Sequence, residues 1–152
     1  MVLVNHAASF LENRVLWAAA AGWVVAQSIK VLRAVRQKRR FDVRWFVGTG
    51  GMPSAHSTGV AALATAVGLE QGFYSPIFAV ALMFALVTMF DAQGVRHATG
   101  RQAVLLNKIV DEMYAGGQVS QEKVMELLGH TPIEVFVGAL MGCVIAVLMY
   151  RI

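Results

Sequence analysis

Residues 75–95 read SPIFAVALMFALVTMFDAQGV, twenty-one positions with a single ionisable side chain, Asp91. The hydrocarbon core of a bilayer takes about twenty mostly apolar residues of α-helix, so this run reads as a membrane span. Working outward, three more apolar runs follow the same rule: about Val15 to Val35, Ser54 to Leu69, and Ile133 to Tyr150. The run from Ser54 is short and rich in Ala and Gly, the composition of a span packed against protein more than lipid, or of a buried half-span. The expected fold is therefore all-α: an integral membrane helical bundle with about four membrane-embedded helices. With no internal repeat and no low-complexity linker, residues 1–152 form one expected domain.

Composition agrees. Hydrophobic residues make up 57% of the chain and charged ones 14%, against about 25% charged in soluble domains. Asn5, His6, Glu12 and Asn13 interrupt the first fourteen residues, so no removable signal is expected. The lone cysteine, Cys143, lies in an apolar run; it can supply neither an intrachain disulfide nor a cysteine-rich metal site and reads as a packing residue. A net charge of +4 would suggest nucleic acid on a polar domain, but most of the basic residues lie in the two stretches between apolar runs, 36–53 and 96–132. They read as topology signals and phosphate ligands, with no nucleic acid as partner.

Arg36, Lys38, Arg39, Arg40 and Arg44 fall between the first two runs, whereas the link from Glu70 to Tyr74 holds no Lys or Arg. The positive-inside rule puts the basic loop in the cytoplasm, both termini outside, and the segment from Arg96 to Pro132 inside. That inner segment carries Arg101, Lys108 and Lys123, and its pattern predicts two short helices. Ala103, Leu106, Ile109, Val110 and Met113 repeat at helical spacing up to Gly116-Gly117. A second helix is expected between an N-cap at Ser120 and a C-cap at Gly129. The expected setting is a bacterial cytoplasmic membrane, or an organelle membrane of prokaryotic descent, with the site facing the cytoplasm.

At the inner ends of the four spans lie Gln27 and Lys30, Ser54 and His56, Asp91 and Arg96, and His130 and Glu134. Ionisable groups at membrane depth are costly and usually line a polar cavity, so this convergence marks the candidate site. Gly48-Thr49-Gly50-Gly51-Met52-Pro53-Ser54-Ala55-His56 runs from a glycine-rich loop into a helix start. It is either an ordinary capped helix or an anion site, with free N–H groups, the Ser54 hydroxyl, and His56 one turn in as a proton donor. In His130-Thr131-Pro132-Ile133-Glu134 the histidine is a competent nucleophile toward phosphorus when a carboxylate fixes its tautomer. Glu134 is the nearest carboxylate, yet Thr131 and Glu134 also form a capping-box pattern, and both roles are open. Arg96 suits bidentate phosphate contact. Lys30 either reaches the site or snorkels to headgroups, and Asp91 either orients Arg96 or Lys30 or forms a structural pair.

These residues carry a resemblance. Pro53-Ser54-Ala55-His56 resembles the second signature of the type 2 phosphatidic acid phosphatase superfamily, which reads Pro-Ser-Gly-His. Together with Asp91-Ala92-Gln93-Gly94-Val95-Arg96, Gly100-Arg101-Gln102-Ala103 and Leu128-Gly129-His130-Thr131-Pro132-Ile133-Glu134-Val135, it resembles the divergent branch called acid phosphatase/vanadium-dependent haloperoxidase-related. The likeness covers roughly Gln27 to Gly142. It implies His130 as nucleophile, with an acidic residue four positions on at Glu134, His56 as leaving-group acid, and Arg96 as phosphate clamp. The sequence departs from the superfamily where Ala55 replaces glycine, where Arg96 stands far from His130, and where Lys30 lacks an Arg-Pro partner.

The expected function is hydrolysis of a phosphate monoester or diphosphate on a lipid or prenyl substrate through a phosphohistidine, with no metal and no cofactor. The alternative is a non-catalytic membrane protein that binds lipid phosphates or serves as a subunit of a membrane complex. Gly138 and Gly142 stand at small-xxx-small spacing, which leaves open a helix contact inside one subunit or a homodimer contact.

Overall fold

The computed structural model describes residues 10–39, 51–94, 102–109 and 131–151. Four helices carry the architecture: α1 (Arg14–Lys38), α2 (Ala55–Gln71), α3 (Pro76–Gln93) and α4 (Pro132–Arg151). Each of the first three starts has a local cause. The Asn13 side chain accepts the Leu16 N–H, Ser54 accepts that of Ser57, and Ser75 accepts that of Phe78 ahead of Pro76 in the first turn. Gly72, at φ 86°, ends α2 in a backbone region that L side chains avoid and turns the chain toward α3.

The bundle is built with its small side chains inside and its large ones outside. Ala18, Ala26, Ala62, Ala66, Ala85 and Ala146 are buried, while Val80, Phe90 and Phe136 are 64%, 72% and 66% exposed. Water would drive the reverse arrangement, whereas lipid tails solvate large apolar side chains and leave close helix packing to Ala, Gly and Ser. The protein is thus an integral membrane helical bundle, as expected. Among the described residues three helices, α1, α3 and α4, are long and apolar enough to cross a membrane. α2, with 17 residues, is of another kind: it packs against all three others and buries nine of its residues. Of the about four embedded helices expected, three thus have a span's length and composition, and α2 packs among them.

Neighbouring directions follow from the contacts. Gly22 of α1 lies against Thr58 and Ala62, and Arg33 reaches back to Met52, so α1 and α2 are antiparallel. α2 and α4 are parallel: Gly138 meets Ser54 and Thr58, and Gly142 meets Thr58, Ala61 and Ala62. A Cβ on Gly138 would stand 2.7 Å from the Ser54 carbonyl, and one on Gly142 would run into the Thr58 carbonyl. The small-xxx-small pair therefore serves a contact inside the subunit. Of the two short helices expected between the third and fourth spans, the first is helical over 102–109, with Ala103 and Asn107 buried. The second falls outside the described residues.

Candidate functional site

The starts of α2 and α4 come together at one end of the bundle. The Ser54 N–H donates to the Glu134 carbonyl at 3.3 Å, which ties the first turn of one helix to the first turn of the other. Because the two helices run parallel, two positive helix ends face the same way side by side, each equivalent to roughly half a unit charge. Free N–H groups at such ends attract anions.

A buried hydroxyl cluster holds the α2 start. Ser54, Ser57 and Thr58 are fully buried. Ser57 donates from Oγ to Ser54 Oγ at 3.0 Å, and the Thr58 hydroxyl donates to the Ser54 carbonyl at 2.8 Å. Ser54 also accepts the Ser57 N–H at 3.3 Å. Having no surface of its own, Ser54 acts by shaping the helix start rather than by reaching outward. Ala55 beside it is 2% exposed, and His56, the next residue, is half-buried.

α1 supplies the cationic wall. Gln27 is 4% exposed, Lys30 is half-buried, and the antiparallel register brings this stretch level with the approach to Ser54. Arg33 Nη1 donates to the Met52 carbonyl at 3.1 Å and thereby fixes the turn ahead of α2. At the α4 start, the Thr131 N–H donates to Glu134 Oε2 at 3.2 Å and the Glu134 N–H donates to Thr131 Oγ1 at 3.4 Å. The reciprocal capping box is formed. Asp91 sits exposed in the last turn of α3, at the same end of the bundle. His130 and Arg96 lie outside the described residues.

Of the residues expected at the site, Ser54 and Glu134 are joined through the two helix starts, Ala55 and His56 follow in the first turn of α2, Lys30 lies on the stretch of α1 level with it, and Asp91 is at the same end of the bundle. Sequence reading missed Arg33, Ser57 and Thr58. Ser54, Ser57 and Thr58 at i, i+3 and i+4 are a polar stripe at helical spacing, and that was the available signal. Arg33 carried none, because an arginine near a span end reads equally as a topology charge.

A family model described as "Divergent PAP2 family" matches residues 11–145. The chain is also similar to an uncharacterized membrane protein of Bacillus subtilis (strain 168), YuiD, with 43% identity over 150 residues, 91% of this chain and 95% of the relative. No solved structure matches.

Proposed function

Because the chain belongs to the divergent PAP2 family, we propose that it is a membrane-bound phosphatase, cleaving a phosphate monoester or diphosphate from a lipid or prenyl substrate at the end of the bundle where α2 and α4 begin. The observation that carries this reading is the parallel pair of helix starts joined by the Ser54–Glu134 backbone bond. Their aligned dipoles, with Lys30 on α1 and Arg96 after α3, favour the negative charge of a phosphoryl group. Preorganised charge of this kind usually lowers a reaction barrier more than any other single effect.

In this mechanism the neutral imidazole of His130 attacks phosphorus and forms an N–P bond as the P–O bond to the lipid breaks. His56 gives its proton to the departing oxygen. Water then attacks the phosphohistidine, His56 accepts a proton from it, and inorganic phosphate leaves with His130 restored. Glu134 holds the tautomer of His130, while Ala55 and Ser54 set the N–H groups of the α2 start and Asp91 orients Arg96 or Lys30. The basic residues Arg36, Lys38 and Arg39 favour a cytoplasmic site under the positive-inside rule.

A second reading, a lipid-phosphate binder without turnover, draws on one specific observation: the Glu134 carboxylate is engaged in capping α4. The two are separated by phosphate release from a panel of lipid and prenyl phosphates in detergent, with chelator present. The phosphatase reading expects release that His130→Ala abolishes. Absence of release from every substrate, alongside retained binding, would select the binder.

A further inference from the structure

At the opposite end of the bundle, the backbones of α1 and α3 do not approach closely among the described residues, and α2, which packs against both, forms the floor between them. The resulting open groove has a volume of about 600 Å³. Its walls are apolar over Leu63, Val67 and Ile77, and its mouth carries Glu12, Arg14 and Glu70. The two charges Arg14 and Glu70 are placed by Tyr150. Its hydroxyl donates to Glu70 Oε2 at 2.6 Å, and the Arg14 guanidinium lies 5.0 Å from its ring centroid while donating from Nη2 to the Met149 carbonyl at 3.1 Å. A strongly exposed Tyr74, at 94%, sits at the same end, where aromatic residues meet lipid headgroups.

We propose that this groove binds one zwitterionic phospholipid with a primary-amine headgroup, at the end of the bundle remote from the phosphatase site. An acyl chain lies along Leu63, Val67 and Ile77, the headgroup phosphate faces Arg14, and the ammonium faces Glu12 and Glu70. Charge decides the class. A purely anionic headgroup would meet two carboxylates for one guanidinium, whereas phosphoethanolamine offers a charge of each sign. A quaternary ammonium has no N–H to donate to the carboxylates, but a primary ammonium has three.

The test is native mass spectrometry of the full chain released from nanodiscs containing equal phosphatidylethanolamine and phosphatidylglycerol. The wild type is expected to retain the ethanolamine lipid roughly tenfold over the glycerol lipid, as one charge-assisted pairing permits. Glu12→Gln with Glu70→Gln is expected to abolish that preference. Glu12→Gln alone, at an exposed position outside the helices, keeps the fold intact and is expected to reduce it roughly threefold. Ile77→Trp is expected to lower retention of both lipids by filling the groove. Equal retention of both lipids by the wild type, preference for the glycerol lipid, or a preference that survives both glutamate changes would overturn the proposal.

Discussion

The two ends of the bundle hold the same kinds of parts in opposite arrangements. At one end the N-termini of α2 and α4 touch, joined by the Ser54–Glu134 backbone bond. At the other, the N-termini of α1 and α3 are kept apart by a groove, and the polar contacts run through side chains, Arg14 to Tyr150 to Glu70. Two positive helix ends brought together make one concentrated place for an anion; two held apart make two weaker ones. The proposed phosphate site thus rests on the parallel run of α2 and α4, and their close approach rests on the glycines that let α4 lie directly on α2.

The contrast between the ends is undone most completely at those glycines. Gly142→Val puts branched carbons into the Thr58 carbonyl and is expected to cost about 3 kcal/mol or more, since backbone cannot yield as a side chain can. Thermal unfolding in detergent would show it, together with loss of phosphate binding. Ser54→Ala comes next. Removing the N-cap and leaving Ser57 Oγ without its buried acceptor is expected to cost about 1–2 kcal/mol and to weaken phosphate binding. Unfolding midpoints and binding of lipid phosphate measure both.

Glu134→Gln probes the joined end more finely. The amide oxygen still accepts the Thr131 N–H, so stability is expected to change by less than about 0.5 kcal/mol. Turnover is expected to fall roughly a hundredfold if the carboxylate steadies His130. A rate that stays with the stability would assign Glu134 to capping alone. Tyr150→Phe, at the far end, is expected to cost about 0.5–1 kcal/mol through the lost bond to Glu70 and to leave phosphate hydrolysis unchanged. A rate change there would mean that the two ends are coupled.

Much of this was legible in the sequence because it rests on short-range rules. The runs from Ser75, Ile133 and Val15 announce helices by length and apolarity, and Ser54, Ser75 and the Thr131–Glu134 box announce their starts. The Ala and Gly content of residues 54–69 pointed to the protein-enclosed character of α2, which buries Ala61, Ala62, Ala64 and Ala66. What depends on which helix faces which was not legible. Gly138 and Gly142 could have met another subunit as readily as α2, because spacing names a contact surface without naming its partner. Arg33 at the Met52 carbonyl is likewise a long-range contact, and the charge pattern that places arginines at span ends masks it.

Capture of the phosphoryl-enzyme tests the phosphohistidine mechanism more directly than any other experiment. Purified protein is mixed with a lipid phosphate labelled on phosphorus, quenched within one turnover, and digested for peptide mapping. The mechanism requires a label that is acid-labile and base-stable, sits on the peptide containing His130, and is absent from His130→Ala while substrate binding persists. Hydrolysis that proceeds with no labelled intermediate, or a label carried by any other residue, would contradict it.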